Sequence, residues 1–309
     1  MKRNNYLKRV DQAVSPIAFG TVNAGSAWDG ADADRMLNTW LDNGGNLVDT
    51  ARVYTDGESE RVLGDFFHRS GRRQEVVLIS KGGHPLFETI HTSRMSQQDM
   101  EYDLHASLKA LQTDYIDIYF YHRDDTSRSV GELLERMEGF RKEGKIKYYA
   151  CSNWTTARMQ DADAYAQSHG LRGFVGNQGL YNIGSRHMLP FKDDTMVTAD
   201  QAMLDYHRQS ENTLMPYFGV CSGFFHLLAA KGPEAVQNSP YCTPGNLAVA
   251  KKVDELCKKY GASITQVLLG FFLTHDLPIV PLAGSDNVEQ LLDMMKTPDI
   301  AFDPKDFVF

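Results

Sequence analysis

Four side chains in the first half of the chain could together deliver a proton beside a fixed charge: Asp49, Tyr54, Lys81 and His122. Asp49 closes the short apolar run at 46–49, and Tyr54 lies five residues on. Lys81 follows the run EVVLIS at 75–80, and His122 follows YIDIYFY at 115–121. A lysine held beside a phenol stabilises phenolate and lowers its pKa, and a carboxylate keeps the lysine charged and oriented. An imidazole can orient a substrate oxygen or share its proton. Such a set would serve as the general acid for a carbonyl that receives hydride. Each residue alone has an ordinary explanation as a turn residue, a solvated lysine or a structural histidine. Their joint position at strand ends carries the reading.

That position depends on the elements around them. Strands are expected at 14–20, 46–49, 75–80, 115–121, 146–151, 173–178, 213–219 and 278–282. Helical patterns separate most of them, at 32–42, 59–68, 97–111, 130–142, 155–168 and 198–208, with further helices at 247–260, 263–274 and 287–295. The run at 75–80 is almost continuously apolar, as expected of a strand covered on both faces. Eight strands alternating with helices favour a parallel sheet. No GxGxxG follows the first strand, which weighs against an open dinucleotide-binding sheet. The expectation is an α/β fold, a (β/α)8 TIM barrel over residues 1–309 as a single domain, with long strand-end loops and a C-terminal helical region. Barrel chemistry comes from residues just past the carboxyl ends of different strands, where these four fall. The irregular stretch 179–200 would rise over the same mouth.

Composition narrows the classes. A net charge of −8 argues against a nucleic-acid surface. The four cysteines, Cys151, Cys221, Cys242 and Cys257, have no CxxC or short Cys/His spacing, so no metal site is expected, and free thiols in a reducing compartment are. No stretch reaches the ~18 apolar residues needed to span a bilayer. A cytoplasmic protein with no membrane partner is expected.

The stretch Asp49-Thr50-Ala51-Arg52-Val53-Tyr54, continuing through Gly57-Glu58-Ser59-Glu60 to Leu63-Gly64, resembles the aldo-keto reductase pattern around its catalytic Asp and Tyr. Leu78-Ile79-Ser80-Lys81 and Asp114-Tyr115-Ile116-Asp117 through His122 are similar to the family's next two motifs, in order and spacing. The resemblance runs to about Met294. It implies a catalytic tetrad of Asp49, Tyr54, Lys81 and His122, with Tyr54 the proton donor, and a nicotinamide cofactor, NAD or NADP. It also implies cofactor contacts at Gly20 and Thr21, at Ser152, Asn153 and Gln178 around the carboxamide, and at Tyr217 stacked on the nicotinamide ring. Ser222 would hold the pyrophosphate, and Gly284, Ser285, Asp286 and Gln290 would form the adenosine loop. The chain departs from the pattern twice: Phe218-Gly219-Val220 stands where Ser-Pro-Leu is usual, and the adenosine loop lacks the usual Lys or Arg. A 2′-phosphate gains from Arg forks and loses beside a carboxylate, so NAD(H) is the expected preference.

The expected substrate is a small carbonyl or alcohol (a sugar, polyol or aromatic carbonyl), with Asn23, Trp28 and Trp154 at the pocket rim. A metal-dependent hydrolase on the same barrel would want a His-x-His cluster at strand ends, which is absent. A regulatory barrel that binds nucleotide with little or no turnover is the alternative.

Overall fold

In the computed structural model, which describes residues 1–308, the strand-end residues share one mouth because the strand pattern places them there. The chain runs β1 (Ala18–Gly20), α1 (Gly30–Asp42), β2 (Leu47–Asp49), α2 (Glu58–Ser70), β3 (Val77–Gly82), α3 (Gln97–Ala110) and β4 (Ile116–Tyr121). It continues through α4 (Val130–Lys142), β5 (Ile146–Ser152), α5 (Thr156–His169), β6 (Gly176–Gln178), α6 (Gln201–Ser210) and β7 (Thr213–Leu214). Helices α7 (Phe224–Lys231), α8 (Pro244–Tyr260) and α9 (Ile264–Leu273) precede β8 (Leu282–Ala283), and α10 (Val288–Met295) follows it.

Neighbouring strands pair in parallel in the order β7-β6-β5-β4-β3-β2-β1-β8. The ring closes between β7 and the chain leading into β8. Leu214 bridges Ile279, Val280 N–H donates to the Leu214 carbonyl at 2.9 Å, and Leu282 N–H donates to the Pro216 carbonyl at 2.8 Å. This is the expected TIM barrel.

Period-two alternation sorts the side chains. Leu47, Val77, Ile79, Ile118, Phe120, Tyr148 and Ala150 fill the interior, joined from below by Leu7, Val10 and Val14 of the N-terminal segment. The alternate residues Val48, Leu78, Tyr119, Tyr121 and Tyr149 face outward into the packing with the helices. Asp49, Lys81 and His122 each continue the inward series, two residues beyond Leu47, Ile79 and Phe120. The polar site is therefore the top layer of an otherwise apolar stack.

Side-chain caps set the helix starts: Ser96, Ser129, Thr155, Asp200, Thr243, Ser263 and Asn287 each accept a backbone N–H of the first turn. Several expectations fall short: the first and sixth strands, expected at 14–20 and 173–178, are only Ala18–Gly20 and Gly176–Gln178. The seventh and eighth strands shrink to two-residue ladders continued by single bridges, and α7, within a stretch assigned no element from sequence, is an added helix.

Ile118 is fully buried in the interior stack. Ile118→Ala should lower unfolding free energy by about 2–5 kcal/mol, the usual range for such a cavity, read as a shifted urea midpoint at unchanged slope.

Candidate active site

Lys81 Nζ lies at the centre, with its side chain fully enclosed. It donates to Asp49 Oδ1 at 2.6 Å, to the Thr50 carbonyl at 2.9 Å and to Tyr54 Oη at 3.0 Å. These three acceptors match the three ammonium protons. The ammonium also lies 4.6 Å from the Tyr54 ring centroid. Gln178 Nε2 donates to the other oxygen of Asp49 at 2.8 Å. Burial pushes the Asp49 carboxyl above its ordinary value, while Lys81 and Gln178, donating to its two oxygens, pull it back down.

Tyr54 stands on a tight turn rather than in a strand. Thr55, Asp56 and Gly57 follow with φ of 47°, 56° and 91°, three successive left-handed residues. A β-branched residue rarely adopts that region. The Thr55 hydroxyl donates to the Ala24 carbonyl at 2.8 Å and ties the turn to the loop after β1. His122 packs edge-on to Tyr54, ring centroids 5.7 Å apart. Its Nδ1 is enclosed without a partner among the described residues.

Burial raises the Tyr54 phenol above its ordinary value. Lys81 pulls it down, Asp49 adds an upward push, and the net direction is up. The expectation of a phenol lowered by its lysine is overturned because desolvation outweighs the single cation. Burial works against the Lys81 ammonium, yet Asp49 and Tyr54 hold it above the usual lysine value. Burial, then Lys81 and its other charged neighbours, push His122 well below its usual value, so its ring is neutral.

Of the residues expected around the cofactor, Thr21, Ser152, Asn153, Gln178 and Tyr217 are tied to the tetrad through a chain of hydrogen bonds. Asn153, itself left-handed at φ 61°, accepts from Tyr217 Oη at 2.7 Å and from Val197 N–H at 3.0 Å. Ser152 donates to the Gln178 carbonyl at 2.9 Å. Thr21 Oγ1 donates to the Asp49 carbonyl at 2.9 Å, and Gly20 packs against the backbone of Ala283 and Gly284. Ser222 is exposed in a left-handed run with Cys221 and Gly223. In the loop after β8, Asp286 N–H donates to Gln290 Oε1 at 2.9 Å, and Ser285 is buried. A nicotinamide would fit here through an open acceptor and an aromatic ring, since Asn153 Nδ2 already donates to the His122 carbonyl at 3.3 Å and to Ser152 Oγ at 3.0 Å, and Ser152 and Gln178 donate within the protein as well. Ser152, Asn153 and Gln178 cluster at neighbouring strand ends, Gln178 Oε1 has no hydrogen-bond partner in the protein among the described residues, and Tyr217 presents a half-buried ring.

Two expected rim residues are elsewhere. Trp28 is only 3% exposed, stacks on Phe19 and donates to the Ser285 carbonyl. Trp154 is fully buried against Tyr121 and Phe174. Both indoles are apolar surface that the core takes up: Trp154 reaches no rim, and Trp28 edges only the groove beside the loop after β8. Asn23 is at the rim but donates to Asp286 at 2.8 Å.

Residues unnoticed in the sequence stand in their place. His84 lies edge-on to His122 with ring centroids 4.7 Å apart, and Phe87 packs on His84. Arg123 donates to the His122 carbonyl, to Asp193 at 2.9 Å and to Thr195 at 2.8 Å, anchoring the long 179–200 loop. The signal for His84 was its place three residues beyond a strand-end lysine. Among the described residues no cluster of side chains could hold a metal ion, and no helix is long and apolar enough to cross a membrane.

Comparison with known proteins agrees with this geometry. Residues 16–308 match the model of the aldo/keto reductase family. The chain is 27% identical to an aryl-alcohol dehydrogenase of Pestalotiopsis microspora, over 90% of this chain and 73% of that protein. It is 25% identical to an NADP+-named aryl-alcohol dehydrogenase of Phanerodontia chrysosporium, over 96% and 81%. A crystal structure of a thermostable aldo-keto reductase with the inhibitor epalrestat superposes with a TM-score of 0.74 at 21% identity, covering 99% of this chain and 97% of that one. The chain thus belongs to the aldo/keto reductase family, whose members are nicotinamide-dependent oxidoreductases acting on small carbonyl or alcohol substrates.

Proposed function

We propose that this chain, as one barrel domain, reduces aryl carbonyls, and oxidises the matching alcohols, with Tyr54 as general acid and base. The observation that carries the reading is the enclosed chain Asp49–Lys81–Tyr54, with distances of 2.6 and 3.0 Å. When bound, a nicotinamide supplies or accepts the hydride. Everything else falls to the protein. Tyr54 gives its proton to the developing alkoxide. Lys81 stabilises the phenolate that remains, which the donor hydroxyl needs only after transfer. Asp49 keeps the ammonium charged and aimed. His122, neutral and with no partner for Nε2 among the described residues, donates to the same substrate oxygen. Ser152, Asn153 and Gln178 would hold the carboxamide, Tyr217 would fix the ring face, and Gly20 and Thr21 would border it. Ser222 would contact the pyrophosphate itself, the Cys221 and Gly223 N–H groups of its left-handed run being taken by the Phe218 and Val220 carbonyls.

The aryl preference draws on the names of relatives and on the rim. Phe87 is 69% exposed, and Phe218 lies tilted against Phe191 with ring centroids 5.5 Å apart. Flat apolar rings there suit an aromatic body behind the carbonyl.

Aldo-keto reductases typically use NADP, and the comparisons give the NAD(H) preference no support. The proposal of NAD(H) rests on charge alone. The groove between Trp28 and the loop from Gly284 to Gln290 is lined by Asp32, Asp286 and Glu289, and its one lining arginine, Arg35, is paired with Asp32. Lys296 caps the far end of α10, about 12 Å of helix away. Titration calorimetry should give tighter binding of NADH than of NADPH, and the reverse order removes this part of the proposal.

Tyr54→Phe should lower kcat for an aryl aldehyde by on the order of 10²-fold or more while cofactor affinity is kept. Full activity would refute the assignment. The pH dependence has a definite sign. A donor whose pKa is raised stays protonated to higher pH, and His122 is already neutral at pH 7. Reduction should therefore hold level through neutral pH and fall only on the alkaline side. A drop between pH 6 and 8 in kcat for reduction would contradict that order.

A further inference from the structure

His84 sits two residues past the end of the interior-facing Lys81 strand series, 6% exposed, and nothing in the chemistry above uses it. Its Nδ1 lies 2.6 Å from the Pro85 carbonyl. A carbonyl can only accept, so Nδ1 carries the proton and Nε2 carries a lone pair. Burial and the nearby Arg123 push the ring down to about 4, which keeps it neutral. Nε2 has no partner among the described residues, and it is not one of the enclosed, unpartnered polar atoms. The neighbouring imidazole is arranged the other way. His122 Nδ1 is enclosed and unpartnered, so the less costly tautomer leaves it as a bare acceptor and places the proton on Nε2. Around His122, whose ring centroid lies 4.7 Å from that of His84 and 5.7 Å from that of Tyr54, stand two donors, Tyr54 Oη and His122 Nε2, and, apart from the Gln178 Oε1 that the cofactor would take, one acceptor, His84 Nε2.

Resting on the proposed function, we infer that His84 is a specificity-determining residue that accepts a hydrogen bond from a hydroxyl on the carbon next to the reacting carbonyl, so that the substrate class is α-hydroxy aryl carbonyls. The carbonyl oxygen takes the two donors, and the vicinal hydroxyl, within about 3 Å of it in such compounds, gives its proton to the lone acceptor. In the reaction, hydride from the reduced nicotinamide forms the C–H bond at the carbonyl carbon, and the Tyr54 proton forms the new O–H. The cofactor leaves oxidised, the vicinal hydroxyl is unchanged, and the product is a vicinal diol. A substrate without that donor leaves the His84 lone pair unmatched once water is excluded.

The test uses two ketones, 2-hydroxyacetophenone and 2-methoxyacetophenone. The ether keeps the oxygen and its electron withdrawal but has no proton to donate. The wild-type enzyme should favour the hydroxyketone in kcat/KM by about tenfold or more, chiefly through KM. In His84→Phe that ratio should fall toward one, and His84→Gln, whose amide oxygen can accept, should restore part of it. A wild-type ratio at or below one overturns the inference without any variant, and so does a ratio in His84→Phe within twofold of wild type. If the wild-type enzyme reduces neither ketone nor any simple aryl aldehyde with either cofactor, the failure lies with the proposed function itself.

Discussion

An ammonium group deep in a barrel is tolerable only when all three protons are matched, and at Lys81 they are. Desolvating such an ion is unfavourable by several kcal/mol, and removing one partner of a buried pair typically destabilises by about 3–5 kcal/mol. The surrounding architecture satisfies that requirement. Asp49 comes from β2 and Lys81 from β3, both on the inward register. Gln178 reaches from β6 to the second carboxylate oxygen, so one hydrogen bond links strands on opposite sides of the mouth. Tyr54 then joins as the third acceptor, which holds its hydroxyl over the cavity.

The same cation shapes its neutral neighbours. Under burial and beside a fixed ammonium, a second positive charge is unfavourable, so His122 remains uncharged, and burial with Arg123 does the same for His84. Arg123 contributes in the same direction from the rim, where Asp193 and Thr195 neutralise and hold it. The long loop is thus attached to the residue adjoining His122, so its order and the polarity of the mouth depend on common contacts.

Much of this was legible in the amino-acid sequence, because alternation and strand-end placement are local properties. The runs before Asp49, Lys81 and His122 marked the strands and their ends, and their separation by helices implied neighbouring strands. The remainder depended on quantities that sequence does not carry. Ladder length failed at β7 and β8, where the ring is completed by single bridges between distant segments. The side to which an indole turns failed at Trp28 and Trp154, since both are adjacent to strand ends yet find apolar partners behind them. The sign of the Tyr54 shift failed because it is a balance between burial and a cation, and burial is known only after folding. His84 went unremarked because its significance comes from a tautomer set by a backbone carbonyl.

The left-handed run from Thr55 to Gly57 has a consequence for laboratory evolution of this scaffold. Besides the Lys81 hydrogen bond, the phenol's location depends on the turn that carries it, set by three backbone torsions and one hydroxyl contact with Ala24. Libraries confined to wall positions would leave the reacting oxygen where it is and vary only what surrounds it. Diversity at 55 and 56 would move the proton donor while leaving the wall intact. The two kinds of library therefore explore separate variables, shape of the cavity in one and aim of the acid in the other.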